Sequence, residues 1–597
     1  MNPTKWLSGL SREDKKGLAL LALVVILGLF LRVEGIRWSL PDARHPLATY
    51  HPDELINLEA ALKVDIPHLQ LDTEFYNYGA LYFYIVSFAH TVARGWGFIP
   101  STPQSVTALM PEAAPERAAL FLVGRSVTAI MGTLTIVAVY FLGRRLYGRR
   151  AGLLAALLYA VAPLAVVHAH FLTVDVPATF FVTMALLWAV RLLEKQNWSN
   201  YVLAGVWVGL AIATKYNTGL VLIAPIVAHI KNRIPEACQL HRKAHFTVML
   251  IAMGFAFIIG CPGPLLNWNA FWNGTYPGSG VYYELFVHSR EGHGDLFVQT
   301  GFGGWYHLVV SLNWGLGTFL LLFCLVGLGY IASRRRTGDL ILLSFFALYY
   351  LSSCFSAVRF ARYMLPLFPV LCLFGASLLT LSSKRSRRWN SVYIFAFVVA
   401  LFPIMETSIY IGAMKGQDPR DDIADNLEKT APQGATIGFA KTPWFYSPPI
   451  SPYFGAPSAP VRRKAMEDTA RFHLKISEKE WDASLLETAP DYIALSNLET
   501  QHSVNRLQRE EAVRFVNTLK DTNEYPWRVT PFSFTEPREY RAGGFKEEAF
   551  FKLANTFRDE SLIPEDILYI MPSITLYESR RIILLQTQER DRRTKRR

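Results

Sequence analysis

Long apolar runs broken by short polar stretches dominate the chain as far as residue 412, and after that point they stop. A membrane crossing takes about 20 mostly apolar residues, and on that measure eleven stretches are predicted to span. They are 17–33, 118–142, 151–169, 174–193, 201–214, 217–231, 246–262, 306–332, 339–357, 363–382 and 391–412. The run 78–95 tempts a twelfth, but accepting it would reverse the side of the basic cluster at 144–150. It reads instead as a juxtamembrane or re-entrant helix on the outer face, its tyrosines Tyr76, Tyr78, Tyr82 and Tyr84 suiting an interface. Beyond 416 the pattern changes to a helix over 418–430 and strands over 435–440, 491–495 and 581–586. A loop rich in proline and aromatic residues lies between them at 442–454. The expected architecture is a mostly α polytopic membrane domain, 1–415, with a first outer loop at 34–117. A soluble extracytoplasmic α/β domain, 416–597, follows it.

Composition agrees with a membrane chain. Hydrophobic residues make up 51% and charged residues 18%, with a mean hydropathy of +0.20. This excludes a disordered chain and disfavours an ordinary soluble enzyme. The net charge of +12 does not indicate nucleic acid, because the basic residues stand in short loops between apolar runs. Arg144, Arg145, Arg149 and Arg150, the stretch 231–243, Arg334 to Arg336, and 384–388 all belong at an anionic cytoplasmic face. Eleven spans from a cytoplasmic N-terminus satisfy every one of these loops and put the C-terminus outside. The first run is expected to be retained rather than cleaved, since Arg32, Glu34 and Arg37 follow it where small residues would be needed. The five cysteines show no paired spacing, and none lies beyond Cys372.

Charged residues at the outer ends of the spans are the candidates for chemistry. In the first outer loop His51-Pro52-Asp53-Glu54 opens a helix, where the two acids either complement the helix dipole or present a carboxylate as general base or metal ligand. Asp175, just before Pro177, either caps the next helix or joins Asp53 on the same side of the membrane. His168 and His170 are interfacial hydrogen bonders or metal ligands. Lys215 lies between two apolar runs with hardly any loop, a costly position that marks either function or snorkelling. Arg359, Arg362 and Tyr363 add positive charge on the outer side, for which an anionic partner such as a phosphate is the simplest compensation. His288 and Arg290 lie in the polar loop 263–305 as accessory candidates. No Walker A loop, GxGxxG, HExxH or GxSxG motif occurs, which argues against an ATP-driven pump and the commonest hydrolases.

Taken in order, His51-Pro52-Asp53-Glu54, Tyr78-Gly79, the Gly143 to Gly152 motif, Thr173-Val-Asp175-Val-Pro177, Thr214-Lys215 and Arg362-Tyr363-Met-Leu-Pro366 resemble the GT-C membrane glycosyltransferases. The resembling branch holds the protein O-mannosyltransferases and the aminoarabinose–lipid A transferase. The resemblance implies an outer-face cavity and inverting transfer of a sugar from a polyprenyl- or dolichyl-phosphate donor to a glycan, lipid or protein acceptor. It implies that Asp53 is the base with Glu54 supporting it, and that Asp175 is a second acidic position for acceptor or metal. Lys215, Arg359, Arg362 and Tyr363 would then receive the donor phosphate. No cofactor is required by this scheme, although a divalent metal is compatible with it, and the expected partners include membrane lipids but no nucleic acid. The implied location is integral to the membrane, the plasma or inner membrane in a bacterium, with the site and C-terminal domain on the extracytoplasmic side. The competing reading is a polytopic transporter or flippase in which the same cations guide an anionic substrate. Paired repeats, the usual mark of a transporter, are not evident.

Overall fold

The computed structural model describes residues 11–101, 110–231, 239–384, 389–455, 459–521, 538–541, 558–579 and 582. Helices fill the chain up to Lys415. Among the described residues seven are long and apolar enough to cross a membrane, or nine when two bent pairs are each taken as one crossing. The protein is therefore an integral multi-pass membrane protein. The remaining two expected spans are shorter: Trp198–Thr214 has 17 residues, and 217–231 is a 3-10 turn, Tyr216–Leu222, running into Ile223–Lys231.

Two expected straight spans are bent. The run at 151–169 breaks by 67° between Arg149–Ala160 and Pro163–His170, because Pro163 cannot donate to the preceding turn. The run at 306–332 turns through 118° between Gly303–Leu316 and Thr318–Arg334. Gly317 makes that corner with φ +86, a conformation open to glycine. The 78–95 run contains a 15-residue helix, Leu81–Gly95, shorter than a crossing. It packs Tyr82, Phe83 and Val86 against Leu55, Leu58 and Phe121.

Close helix contact explains one of the sequence motifs. A Cβ on Gly143 would lie 2.9 Å from Cα of Gly152, so these two glycines let Ala114–Tyr147 and Arg149–Ala160 touch backbone to backbone. The basic residues gather at one end of the bundle. Arg144 and Arg149 reach Asp14 at 3.4 and 3.6 Å, Arg145 pairs with Glu194, and Tyr147 donates to Asp339 at 3.0 Å, which also holds Arg334.

After Lys415 the chain enters a small α/β unit. Asp418 caps Pro419–Thr430, as its position before Pro419 predicts. Among the described residues five strands follow: β1 (Thr436–Phe439), β2 (His473–Ile476), β3 (Tyr492–Ser496), β4 (Arg538–Arg541) and β5 (Ser573–Glu578). Their order is β2-β1-β3-β5-β4, parallel on the β2, β1 and β3 side and antiparallel through β5 and β4. Strand alternation sends Tyr492 and Ala494 to a face covered by Ile423 and Leu427, and Ile493 and Leu495 to one covered by Phe515 and Leu519. Strand β5 is not among the expected strands; the one expected at 581–586, apart from the buried Ile582, lies outside the described residues, as does the basic tail. The 442–454 segment is a loop that docks on the bundle, Phe454 against Tyr50 and Phe445 against Tyr569. Ile567, Tyr569 and Ile570 belong to the core of the bundle itself. Arg420 seals the joint, stacked on Tyr50 at 3.8 Å and donating to the Phe445 and Tyr569 carbonyls.

Candidate functional site

At the end of the bundle opposite the basic loops, three acids and two cations converge. Asp53 lies in the first turn of Pro52–Leu62, and Asp175 opens Asp175–Glu194, so each carboxylate faces the positive end of a helix dipole. Lys215 follows the C-terminus of Trp198–Thr214, where a cation is favoured. Neither acid serves as an N-cap. His51 caps the first helix by accepting from the Asp53 N–H at 3.3 Å, and Asp175 makes no capping bond.

Lys215 Nζ donates to Asp175 Oδ1 at 2.6 Å and lies 4.2 Å above the ring of Tyr363. Arg362 bridges the cluster. Its Nη2 donates to Asp53 Oδ2 at 2.8 Å, its Nη1 to Asp566 Oδ1 at 2.9 Å, and its Nε lies 3.9 Å from Asp175 Oδ2. Asp566 also accepts from the Ala361 N–H at 2.8 Å. His168 Nε2 approaches Asp566 to 3.1 Å. Arg362 holds the Asp566 carboxyl below its ordinary range even though burial alone would raise it. Among these acids Asp53 keeps the most access, with 26% of its side chain exposed.

A cavity of about 650 Å³ lies beside the cluster. Lys215, which pairs with Asp175, lines it together with Tyr78, Tyr363, Glu284, His288 and Arg290. The first loop is fitted to this place by Gly79. A Cβ there would meet the Ala213 carbonyl oxygen at 2.0 Å, while the Tyr216 hydroxyl donates to the Tyr76 and Tyr78 carbonyls at 3.1 and 2.8 Å. A second cavity, of about 440 Å³, lies on the other side of the Pro52–Leu62 helix. His51, Pro52, Glu59, Tyr276, Trp444 and Phe454 are among its lining.

Several sequence candidates stand elsewhere. Glu54 does not reach the cavity; it is sealed in a two-bond pair with Arg125 at 2.8 and 2.6 Å, and it accepts from Thr49 and from the Leu172 N–H. Burial would raise its carboxyl, but Arg125 overrides this and holds it below the ordinary value. Arg359 turns away from the acids to Thr300 Oγ1 and the Gly301 carbonyl, both at 2.7 Å. His170 faces the Val166 and Glu34 carbonyls, each at 2.8 Å, and is a packing residue here. His288 lies between Glu284 at 3.1 Å and His293 at 3.2 Å. Arg290 is exposed on the cavity wall and has no carboxylate partner among the described residues.

Asp566 and Arg125 are the residues that sequence reasoning missed. Asp566 stands in Pro564-Glu565-Asp566, an acid pair before an apolar run, and that was its only signal.

The acids of this cluster are engaged by cations of the chain itself. The guanidinium of Arg362 already bridges Asp53 and Asp175, and Lys215 completes Asp175. Among the described residues no three His, Cys, Asp or Glu side chains gather as a ligand set.

Fold and site together define a helical multi-pass membrane protein with a charged cluster beside a cavity at one end of its bundle. Residues 119–259 match the family model described as dolichyl-phosphate-mannose-protein mannosyltransferase, a stretch that takes in the Gly143 to Gly152 motif, Asp175 and Lys215. That match supports the GT-C resemblance drawn from the motifs. An uncharacterized protein of Aquifex aeolicus (strain VF5) is 23% identical over 294 residues, covering 47% of this chain. The chain spans about half the length of that relative, 53%. Among solved structures, the oligosaccharyltransferase of Archaeoglobus fulgidus in complex with Zn and sulfate aligns with a TM-score of 0.48 at 13% identity, over 87% of this chain and 73% of that one. ArnT of Cupriavidus metallidurans bound to undecaprenyl phosphate aligns with a TM-score of 0.44 at 13% identity, over 82% and 94%.

Proposed function

We propose that the protein is an inverting glycosyltransferase of the membrane that moves a sugar from a polyprenyl-phosphate-linked donor to an acceptor on the extracytoplasmic face. The observation that carries this reading is the placement of Asp53: a partly open carboxylate, held by Arg362, beside a cavity whose walls carry Lys215 and Arg290. An acceptor hydroxyl or amine attacks the anomeric carbon while the bond from that carbon to the phosphate oxygen breaks. Its proton passes to Asp53, and the bonding pair leaves with the lipid phosphate. The sugar gains oxocarbenium character between the acids, as in glycoside hydrolysis. The growing charge on the phosphate is met by Lys215, held in place by Asp175, with the exposed Arg290 as a second cation. The family description over 119–259 supports a lipid-phosphate sugar as donor class.

In this reading the donor occupies the 650 Å³ cavity and the acceptor approaches by the smaller one, because His51 and Pro52 line the latter and flank Asp53. The test is transfer of label from a radiolabelled polyprenyl-phosphate sugar in washed membranes that contain or lack the protein. Protein-dependent label in a product other than the donor is expected. Movement of intact donor across the membrane with no new product would select the transporter reading instead.

A further inference from the structure

The Asp566 carboxylate comes from the C-terminal unit yet lies inside the cluster, fully buried, with both oxygens engaged. It takes Arg362 from the side opposite Asp53, and it also takes the backbone N–H groups of Ala361 and Arg362, at 2.8 and 3.4 Å. A guanidinium is a planar fork, so anchoring one edge sets the direction of the other. The segment that delivers Asp566 is itself nailed in place. Gln501 donates to the Ile563 carbonyl at 3.0 Å, and Arg420 holds the Tyr569 carbonyl at 2.8 Å. On the bundle side His168 reaches the same oxygen as Arg362.

Resting on the reading of Asp53 as base, we propose that Asp566 is a positioning residue: it fixes the Arg362 guanidinium so that its free edge presents the Asp53 carboxylate to the acceptor. Asp566 cannot be the base, being shut off from both cavities and using its oxygens on Arg362 and backbone. The C-terminal unit is then part of the reaction centre, and its docking on the bundle completes the site.

The experiment compares Asp566→Asn with Glu565→Gln in the full-length protein. The second variant removes a buried carboxylate of the same segment that pairs with His502 and makes no ion pair with Arg362 among the described residues. Two readouts are taken: kcat and donor KM for sugar transfer, and carbodiimide labelling of Asp53 measured by mass spectrometry, which needs no turnover. Asp566→Asn is expected to lower kcat at least tenfold with donor KM moved less than twofold, and to raise Asp53 labelling about threefold as the guanidinium loosens. Glu565→Gln is expected to leave both within twofold. Unchanged kcat and labelling in Asp566→Asn, or equal losses in the two variants, would overturn the proposal. If labelling shifts while even the unmodified protein transfers no sugar, the positioning role stands and the transferase reading falls. Should Asp566→Asn not assemble, Asp566→Glu, which keeps the charge but displaces it by one methylene, is read for Asp53 labelling, and an unchanged value again overturns the proposal.

Discussion

Asp53 and Glu54 are neighbours in sequence and chemically alike, yet the structure gives them opposite surroundings. Asp53 shares one guanidinium with other acids and keeps 26% of its side chain open, whereas Glu54 has 0% open and is the one acid on a guanidinium that otherwise serves backbone carbonyls. About 100° of helix rotation separates successive side chains, enough to put one acid toward Arg362 and the other into the packing between first loop and bundle. The lesson is that a charge in a membrane protein is not a site by virtue of its cost. A fully satisfied pair such as Glu54 with Arg125 is fastening, and an acid left partly open among shared cations has capacity to take a proton.

The comparison is broken most sharply by neutralising each acid in turn. Asp53→Asn is expected to lower kcat at least about 10³-fold, roughly 4 kcal/mol of transition-state stabilisation, with the protein folded and its thermal midpoint little changed. Glu54→Gln should do the reverse. It strands the Arg125 charge in a dry interior, at a cost of about 3 kcal/mol or more in stability, while activity per folded molecule stays within a few-fold. Detergent thermal unfolding and transfer assays on the same preparations distinguish the two. Similar kinetic losses in both variants would erase the distinction.

His51 sharpens the same contrast through pH. Its burial pushes the imidazole down from the ordinary value to about 3, with Glu54 and Arg362 acting in opposite directions on it. The unfolded chain therefore binds the proton that the folded protein refuses. Stability from this group is full above the ordinary pKa of about 6.5 and is lost as pH falls toward 3. Between pH 7 and 5 the loss is about 2 kcal/mol by linkage. His51→Asn keeps an N-cap acceptor without the titration, so its thermal midpoint should fall less over that interval. An equal fall in both proteins would rule His51 out as the cause.

How much of this was legible beforehand follows from where each residue stands. Asp175, Lys215 and Arg362 stand at span ends, where charge in apolar surroundings stands out in sequence, and Asp53 follows a proline that opens a helix in the first outer loop. The fate of Glu54 was hidden because its partner Arg125 lies inside a span, and nothing in the order of residues says which way adjacent acids turn. The bends at Gly317 and before Pro163 were invisible to hydropathy, which registers apolar length and not direction. Asp566 was beyond reach because its role depends on the C-terminal segment folding back into the bundle, a tertiary event with no local signature. The α/β character of that unit was readable from strand alternation, though β5 itself was not anticipated.

The smallest effect separates two arginines on the outer side of the spans. The family resemblance gives the donor phosphate to Arg359 and leaves Arg290 an accessory candidate. In the structure Arg359 uses its donors on Thr300, Gly301 and the Ser356 carbonyl, so its charge holds a loop. Arg290 is exposed on the cavity wall without a carboxylate, so its donors are available to an incoming anion. Arg290→Ala should therefore raise donor KM by about tenfold, the range for one charge-assisted contact partly screened by water, with kcat reduced less. Added salt should weaken donor binding in the unmodified protein more than in the variant, because the variant has lost the screened interaction. Arg359→Ala should leave donor KM within about threefold and lower the thermal midpoint instead. A larger KM effect from Arg359 than from Arg290 would mean that the loop rearranges when donor enters, and that open and fastened charges exchange places during the reaction.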